Sequence, residues 1–519
     1  MRYRLKVVAG LFLLFSILHL TVAFCEEEKV VDIDTDSIEE LINILRDKGI
    51  IDNEEAGRFM QRHRKREAPA PDGYEKSMIT IVPEEKEKEY IEKITKDVVR
   101  EIKQEVRETV KTEIKDEISE EMKAERRIPG TAEWTKRIRW GGDIRLRYQG
   151  EFYDENNALL LKPDDPTELM NTRDDRHRFR YRVRLKLKAD VNEHLEFGAR
   201  LVAGNEEDPV SINETLGDYF TNDDVVFDQV YLRWHPTPEM SLWGGRIPNP
   251  WFHSDLVWDP DLNFEGLALN LETALGEHWS GFLNIGGFAL QEVEFSQQDK
   301  WLFGGQIGTK WEPGKHLTAK IAAAYYDYVH VEGEVNDPLR PNEKDYTAPL
   351  SQQKGNTLID VDPSSGIKTA LASDYDELNI TGVLDVGFFD PVHVVLLGDY
   401  VVNLGFDKDE VAGLTGNPDV KKEIEGYQVG LTVGHPKVRE FGAWNVFCFY
   451  KYLEADAVLD AFTESDFHEG GTNAQGWILG GELGLAKNWW LRTRWLSADE
   501  IEGPPLAIDV LQVDVKAEY

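Results

Sequence analysis

The stretch Leu511-Gln-Val-Asp-Val-Lys-Ala-Glu-Tyr519 alternates strictly between apolar and polar side chains. Every odd position is apolar, ending on an aromatic ring, and every even position is polar or charged. Period-2 alternation gives a β-strand one apolar and one polar face. In a transmembrane β-barrel, lipid-facing side chains alternate in this way with lumen-facing ones. A strand of a soluble β-sandwich has the same pattern, so the choice depends on the rest of the chain.

The N-terminal region favours the membrane interpretation. Arg2, Arg4 and Lys6 precede an apolar run over residues 7–24, and three glutamates follow Cys25. This is the pattern of a secretory signal peptide, and we predict cleavage after residues 1–25. The alternative is that this segment is kept as an anchor helix. After Cys25, no apolar run reaches the ~20 residues that a membrane-spanning helix needs.

The composition restricts the partners of the chain. The formal net charge of −37 makes nucleic acid an improbable partner, because phosphate binding needs a basic surface. Signal cleavage leaves one cysteine, Cys448, so we expect no internal disulfide. Cys448 shares the apolar face of a predicted strand with Trp444 and Tyr450, and we interpret it as an inert lipid-facing or packed side chain.

Three helical or linker segments are predicted between the signal peptide and the first strand. Residues 26–66 read as a helical hairpin, 67–83 as a Pro-containing linker and 84–126 as a long, coiled-coil-like stalk helix. Apolar residues recur mostly every fourth position in the stalk, which predicts a straight or right-handed bundle. Self-association buries such a stripe, so we expect a homotrimer; the alternative is one charged helix lying on a partner. The basic run 62–66 indicates either a solvated helix end or attraction to peptidoglycan.

Residues 127–519 are predicted to form an all-β transmembrane barrel of about sixteen antiparallel strands. The strands are joined alternately by short turns and long loops, which is typical of outer-membrane barrels. Sixteen strands leave a water-filled channel. The predicted strands lie near 138–152, 176–191, 194–204, 227–235, 240–247, 264–272, 278–290, 301–311, 316–329, 376–389, 392–404, 424–434, 441–453, 476–486, 488–497 and 507–519.

The first two predicted strands contain the sharpest local signal. The second strand carries a basic residue at every even position from 176 to 188, and its odd positions are mostly apolar. Charge on the lipid face costs about 2–4 kcal/mol at mid-membrane, so the basic set must face the lumen. We name as the basic wall the residues Arg145, Arg147, Arg178, Arg180, Arg182, Arg184 and Lys186. Arg233, Arg492 and Arg494 extend it.

Two interpretations of the basic wall remain open. The wall guides anionic solutes electrostatically, or it pairs with an acidic loop folded into the lumen. The two are compatible. The candidate acidic groups are Asp255, Asp259, Asp261 and Glu265. On the last strand, Asp514 or Glu518 is a further candidate, since that strand is expected to pair with the first.

The segment Gly244-Gly-Arg-Ile-Pro-Asn-Pro-Trp-Phe-His-Ser-Asp-Leu-Val-Trp-Asp-Pro-Asp-Leu-Asn-Phe-Glu-Gly266 resembles the equivalent stretch of the bacterial putative-porin family. The signal peptide, stalk and terminal aromatic strand also resemble the layout of that family. The resemblance implies an outer-membrane, pore-forming barrel without an established substrate. We expect the constriction to be formed by Arg246, Asp255, Trp258, Asp259 and Asp261. The alternative is that the prolines and Trp251 simply lock a loop.

No catalytic, metal or cofactor signature is present, and the histidines show no ligand spacing. Tryptophans at predicted strand ends or on apolar faces suit interfacial girdles better than a sugar-stacking track. These are Trp134, Trp140, Trp234, Trp243, Trp489, Trp490 and Trp495. Whether calcium bridges the acidic loops stays open.

The sequence therefore predicts a porin in the outer-membrane lipid, with its N-terminal region in the periplasm. We expect it to pass small hydrophilic solutes, anions among them, by passive diffusion, and not to be an enzyme. One alternative is a structural tether, in which the barrel anchors a stalk that binds the cell wall. The other is a barrel enzyme acting on lipids or surface polymers.

Overall fold

The computed structural model describes residues 137–519 apart from 163–166, 205–207, 218, 295 and 363–366. The predicted signal peptide, helical hairpin, linker and stalk, together with Trp134, lie outside the described residues. Within the described part of the chain, no helix has the length and apolar character needed to cross a membrane.

The described residues form nineteen β-strands, of which sixteen build one barrel and three are short strands in loops. In chain order the strands are β1 Ile138–Tyr153, β2 Arg176–Asn192, β3 Leu195–Ala203, β4 Glu214–Thr215, β5 Val225–Thr237, β6 Met240–Pro248, β7 Asn263–Ala274, β8 Trp279–Gln291, β9 Lys300–Gly314, β10 Leu317–Val329, β11 Leu358–Asp360, β12 Thr369–Leu371, β13 Tyr375–Phe389, β14 Val392–Asn403, β15 Glu425–Gly434, β16 Trp444–Leu453, β17 Ala474–Ala486, β18 Trp489–Glu500 and β19 Ala507–Glu518. The short strands are β4, β11 and β12.

The sheet closes through β1, which pairs antiparallel with both β2 and β19. Arg147 lies opposite Arg180 on one side and opposite Asp514 on the other. Tyr519 continues the closure, since its N–H donates to the Gly142 carbonyl at 3.0 Å and its carbonyl accepts from Gly142 at 3.2 Å. The prediction of a sixteen-strand antiparallel barrel closed by the last strand on the first is confirmed.

The connections differ at the two ends of the barrel. Short turns of 2–9 residues lie at one end, at 193–194, 238–239, 275–278, 315–316, 390–391, 435–443 and 487–488. The other end carries the loops 154–175, 204–224, 249–262, 292–299, 330–374, 404–424, 454–473 and 501–506. Loop 404–424 contains the helix α1, Lys408–Thr415, which the Asp407 carboxylate caps by accepting from Asp409 and Glu410. Short turns at one end and longer loops at the other are the outer-membrane arrangement.

The outer face of the barrel is apolar. Leu146, Phe179 and Ile307 are each more than half exposed, although they lie in mid-strand. Exposed tryptophans, including Trp140 and Trp489, lie on the outer face near the short turns. An apolar band bordered by aromatic rings is what a strand surface presents to lipid and its interfaces.

The interior of the barrel is partly filled by loops that fold inward. Loop 249–262 and loop 454–473 contribute apolar residues to one buried cluster, joined by inward-facing side chains of β6, β7, β9 and β10. Ile247 and Tyr326, on those strands, are fully buried. The core of the protein therefore lies inside the barrel, against one part of its wall.

Candidate functional site

The basic wall faces the lumen. Arg145, Arg147 and Arg182 are between 2% and 8% exposed, whereas Ile144 and Leu146, their neighbours on β1, are 42% and 53% exposed. The register places Arg145 opposite Arg182 across the β1–β2 pair. Like charges directly opposite each other destabilise a sheet. The wall therefore needs carboxylates, polar partners or water along its length.

Carboxylates neutralise four of the seven residues of the basic wall. Three of these arginines bind side chains brought from loops: Arg147 Nη1 lies 3.0 Å from Asp466, and Arg182 Nη1 and Arg184 Nη1 lie 2.9 Å and 3.4 Å from Asp261. Other partners come from the strands themselves. Arg147 Nε lies 2.7 Å from Asp514, Arg184 Nε lies 2.8 Å from Asp143, and Arg178 pairs with Glu151.

The sequence contained a signal for some of these partners. Asp143 and Glu151 lie at odd positions of β1, on the same face as Arg145 and Arg147, so period-2 alternation already puts them in the lumen. The predicted role of Asp514 as a counter-charge agrees with its bonds to Arg147. Glu518, the other candidate, instead pairs with the exposed Arg439 at 2.9 Å.

The other three residues of the basic wall have no carboxylate at ion-pair distance among the residues that the structure describes. Arg145 donates to the side-chain oxygen of Asn213, and Arg180 donates to the carbonyl oxygen of the same residue at 3.3 Å. Lys186 is half-buried on the same face. Within the described residues, the basic wall thus keeps three cations that no carboxylate neutralises at ion-pair distance.

Loop 249–262 lies across the lumen and is fixed at both of its faces. Trp258 is fully buried, and its ring lies 5.1 Å from the rings of Phe264 on β7 and Tyr326 on β10. Asp261 reaches the basic wall and binds Arg182 and Arg184. Burial alone would raise the pKa of Asp261, but the charges of these arginines hold that pKa below its ordinary value.

Asp259 joins loop 249–262 to loop 454–473, and Asp255 joins it to β16, rather than to the basic wall. The Asp259 carboxylate accepts from the backbone N–H of Ser465 at 3.0 Å, and its own N–H donates to the Phe462 carbonyl at 2.9 Å. Burial, together with the nearby charge of Asp261, raises the pKa of Asp259 well above its ordinary value. The main-chain carbonyl of Asp255 accepts from Lys451 Nζ at 2.7 Å.

Arg246 and Glu265 lie apart from this arrangement, contrary to the sequence-based expectation. Their side chains pair with each other at 3.1 Å and are 41% and 58% exposed. Ile247, the next residue along β6, is fully buried in the interior. Successive residues of a strand point to opposite faces, so Arg246 and Glu265 face outward and do not line the lumen.

Loop 454–473 is the part of the site that sequence reasoning missed. Glu464 binds Lys451 and Arg494, each at 3.1 Å, and Asp466 binds Arg147 and Arg494. Although burial opposes it, the two arginines hold the pKa of Asp466 well below its ordinary value. The sequence shows only a long acidic loop here, because nothing local indicates that it folds inward.

Two cavities lie on the two sides of loop 249–262. The outer cavity, of about 530 Å³, is lined by the loops of the long-loop end and by Arg176, Arg178 and Arg180. The inner cavity, of about 430 Å³, lies near the short turn 238–239 and is roofed by residues 248–252. Trp243, predicted in an interfacial girdle, lines the inner cavity instead. Trp490 is also buried, beneath the Arg439 guanidinium.

Among the residues that the structure describes, no group of three or more His, Cys, Asp or Glu side chains is placed to hold a metal ion.

A closed sixteen-strand barrel with an apolar outer face and a charged, loop-lined interior defines an outer-membrane channel protein. The chain belongs to the putative porin family, whose family model matches residues 35–519. The expected resemblance to this family is confirmed.

No curated protein is similar to the chain in sequence. Among solved structures, the chain is similar to the outer membrane channel DcaP of Acinetobacter baumannii, with 10% identity, 74% of this chain and 97% of that chain covered, and a TM-score of 0.41. It is similar to the high-pH structure of Pseudomonas putida OprB, with 12% identity, coverage of 74% and 95%, and a TM-score of 0.43. For Pseudomonas aeruginosa OpdQ the values are 11% identity, 75% and 99% coverage, and a TM-score of 0.35.

Proposed function

We propose that this channel passes small hydrophilic solutes by passive diffusion and prefers anions. The observation that carries the proposal is the unpaired positive charge of Arg145, Arg180 and Lys186 on the lumen face of β1 and β2. A lumen wall of one sign concentrates solutes of the opposite sign and repels those of the same sign.

The outer cavity supports this preference at the long-loop end. Its charged lining includes the four cations Arg176, Arg178, Arg180 and Lys354 against the three carboxylates Asp208, Asp466 and Glu469. Asp466 is already bound to Arg147 and Arg494, and Arg176 and Arg178 share Glu151; none of these partners lines the cavity. An anion leaving bulk water therefore meets the unpaired Arg180 before it reaches loop 249–262.

Loop 249–262 serves as the selective barrier between the two cavities. Its first residues line the inner cavity, and Asp259 bonds to Ser465, which lines the outer cavity. Because the loop is held by Trp258 on one side and Asp261 on the other, its position in the lumen is fixed. Solutes pass beside it along the basic wall.

The assembly that we propose is a homotrimer with a periplasmic stalk. The support is the apolar stripe over residues 84–126, which a single exposed helix leaves uncovered. The basic run 62–66 makes anionic peptidoglycan a candidate periplasmic partner. Deleting residues 26–130 separates these roles: conductance survives if the barrel is the channel, whereas a tether loses envelope attachment as its main defect.

The test of the channel is the ion current of the purified full chain in a planar lipid bilayer with a KCl gradient. We expect discrete conductance steps and a reversal potential that favours Cl⁻ over K⁺. Absence of any current from correctly folded protein contradicts the channel. A current that strongly favours K⁺ contradicts the anion preference while leaving the channel standing.

A further inference from the structure

The inner cavity contains cations that the proposed anion preference does not use. Arg233, Lys310 and Lys320 line it, at the end of the barrel opposite the outer cavity. Lys310 is paired with Glu312 at 2.8 Å. Within the described residues, neither Arg233 nor Lys320 takes part in an ion pair. Two partly buried positive charges therefore face a space of about 430 Å³ without a carboxylate partner at contact distance.

Aromatic rings hold these two cations in place. Lys320 Nζ lies 4.1 Å from the ring centre of Phe252 and 4.5 Å from that of Phe282. The Arg233 guanidinium lies 4.8 Å from the ring centre of Trp243, and its Nη2 donates to Ser241 Oγ at 2.8 Å. A ring face attracts a cation without neutralising it, so the charge stays available to a solute carboxylate.

Hydrogen bonds to the barrel wall hold the roof of the inner cavity, residues 248–252, in place. Phe252 donates its N–H to Gln306 Oε1 at 2.8 Å and accepts from Gln306 Nε2 at the same distance. Gln306 Oε1 also accepts from Asn284 at 2.9 Å, and Asn284 accepts from Asn270 at 2.7 Å. This chain of amides orients the polar lining before any solute arrives, which reduces the ordering that binding requires.

The remaining polar lining suits hydroxyl groups. Glu239 and Glu272 are acceptors at the cavity, and Asn249 and Asn270 add amide groups. Carboxylates accept hydrogen bonds from hydroxyls, and they disfavour a second negative charge on the same solute. The rings of Trp243, Phe252 and Phe282 offer apolar surface for the C–H face of a saturated ring. The cavity volume lies within the range usual for small-molecule sites.

We propose that the inner cavity is a binding site for hydroxylated monocarboxylates of the sugar-acid type. The solute carboxylate binds Lys320, the hydroxyls bind Arg233, the glutamates and the amides, and the ring lies on the aromatic side chains. This inference rests on the proposed channel, for which it names a solute class. The inner cavity is then a site at which such a solute binds transiently during its passage through the barrel.

The test is isothermal titration calorimetry of the purified full chain in detergent with D-glucuronate, D-glucose and benzoate. We expect glucuronate to bind more tightly than either of the other two. Lys320→Gln weakens glucuronate binding about tenfold or more, because a charge-assisted hydrogen bond is lost. Arg233→Gln acts in the same direction. The matched control Lys315→Gln, on an exposed turn at the same end of the barrel, leaves binding unchanged.

Folding of each variant is checked by its circular dichroism and its ion current. Glucuronate that binds no better than glucose overturns the inference, as does unchanged binding in both Lys320→Gln and Arg233→Gln. Benzoate that binds as tightly as glucuronate overturns the sugar-acid assignment. If the wild-type chain carries current but shows any of these results, the proposed channel is retained and the proposed inner binding site is rejected. If it carries no current, the channel falls, and the calorimetry decides the inner site alone.

Discussion

The two halves of the barrel interior use different chemistry to hold the same inward loops. On β1, β2 and β18, loop carboxylates such as Asp261 and Asp466 bind arginines. On β6 to β10, apolar residues such as Trp258 pack against rings and aliphatic side chains. The outer face of both halves is largely apolar. The comparison shows that contact with lipid constrains the polarity of the outward-facing residues of each strand, whereas the inward-facing residues can be either charged or apolar.

The two attachments also differ in what they contribute. A buried ion pair is roughly neutral in net stability, because desolvation offsets the attraction, but losing one partner is costly. Burial of apolar area stabilises directly. We therefore expect the apolar half to supply most of the loops' stability. The charged half fixes their position and leaves three cations without a carboxylate partner on the lumen face of β1 and β2.

The largest expected effect is from Arg147→Met. Arg147 is 2% exposed and binds both Asp514 and Asp466, so its removal takes a buried cationic partner from each of two carboxylates. We expect a loss of about 3–5 kcal/mol in the free energy of unfolding, measured in urea by tryptophan fluorescence. The matched control is Arg340→Met, which breaks exposed pairs with Asp337 and Glu343 and should cost at most about 1 kcal/mol. Equal losses in the two variants would show that the charged half is not buried as described.

The next effect is from Trp258→Ala in the apolar half. Trp258 is fully buried against Phe264, Tyr326 and Phe462. We expect a loss of about 3 kcal/mol, at the lower end of the range for a buried tryptophan, because loop 249–262 can rearrange once the ring is gone. Single-channel conductance should rise as loop 249–262 leaves the lumen. Trp477→Ala, on the outer face, is the matched control and should leave conductance unchanged. A Trp258→Ala barrel with wild-type conductance would contradict the position of the loop.

The smallest effect is a pH dependence from loop 454–473. Burial raises the pKa of Asp460 to about 7 from an ordinary value of 3.8, with Asp456 and Lys354 as its charged neighbours. Because the folded state binds the proton more tightly, stability is highest at low pH and falls as pH rises toward 7. Between pH 5 and pH 7.5 we expect a loss of at most about 3 kcal/mol. Below this window, lowered pKa values keep Asp261 and Asp466 charged.

Asp460→Asn should remove this part of the pH dependence, as measured by urea unfolding at pH 5 and pH 7.5. The exposed Asp337→Asn is the matched control and should retain the wild-type dependence. A pH dependence that persists in Asp460→Asn would assign it to another group.

Most of the fold could be predicted because lipid imposes a local rule on every strand. All sixteen predicted strands overlap the observed ones, and the inward direction of Arg145 and Arg182 followed from alternation alone. The packing of the loops could not be predicted in the same way. In the sequence, nothing distinguishes Glu464 and Asp466 from other acidic loop residues. In the structure, both bind Arg494.

The predictions for Arg246 and Trp243 were wrong because the sequence did not show which residues of their strand point into the barrel. Arg246 belongs to the segment that indicated the family, yet the burial of Ile247 places it on the outer face. Trp243 lies near a strand end, as girdle residues do, but its side chain points into the barrel and lines the inner cavity. Which residues of a strand point inward depends on the position at which strand pairing begins. Gly245 has a φ of 119°, a backbone irregularity within β6 that the sequence does not reveal.

The most direct test of the central claim is the reversal potential of the triple variant Arg145→Gln, Arg180→Gln and Lys186→Gln. A matched triple variant removes three exposed loop cations, Arg340, Lys368 and Lys421, in the same way. In a KCl gradient, we predict that wild type favours Cl⁻, that the lumen variant shifts clearly toward K⁺, and that the loop variant shifts much less. A lumen variant with the wild-type reversal potential would contradict the claim that the unpaired part of the basic wall selects anions.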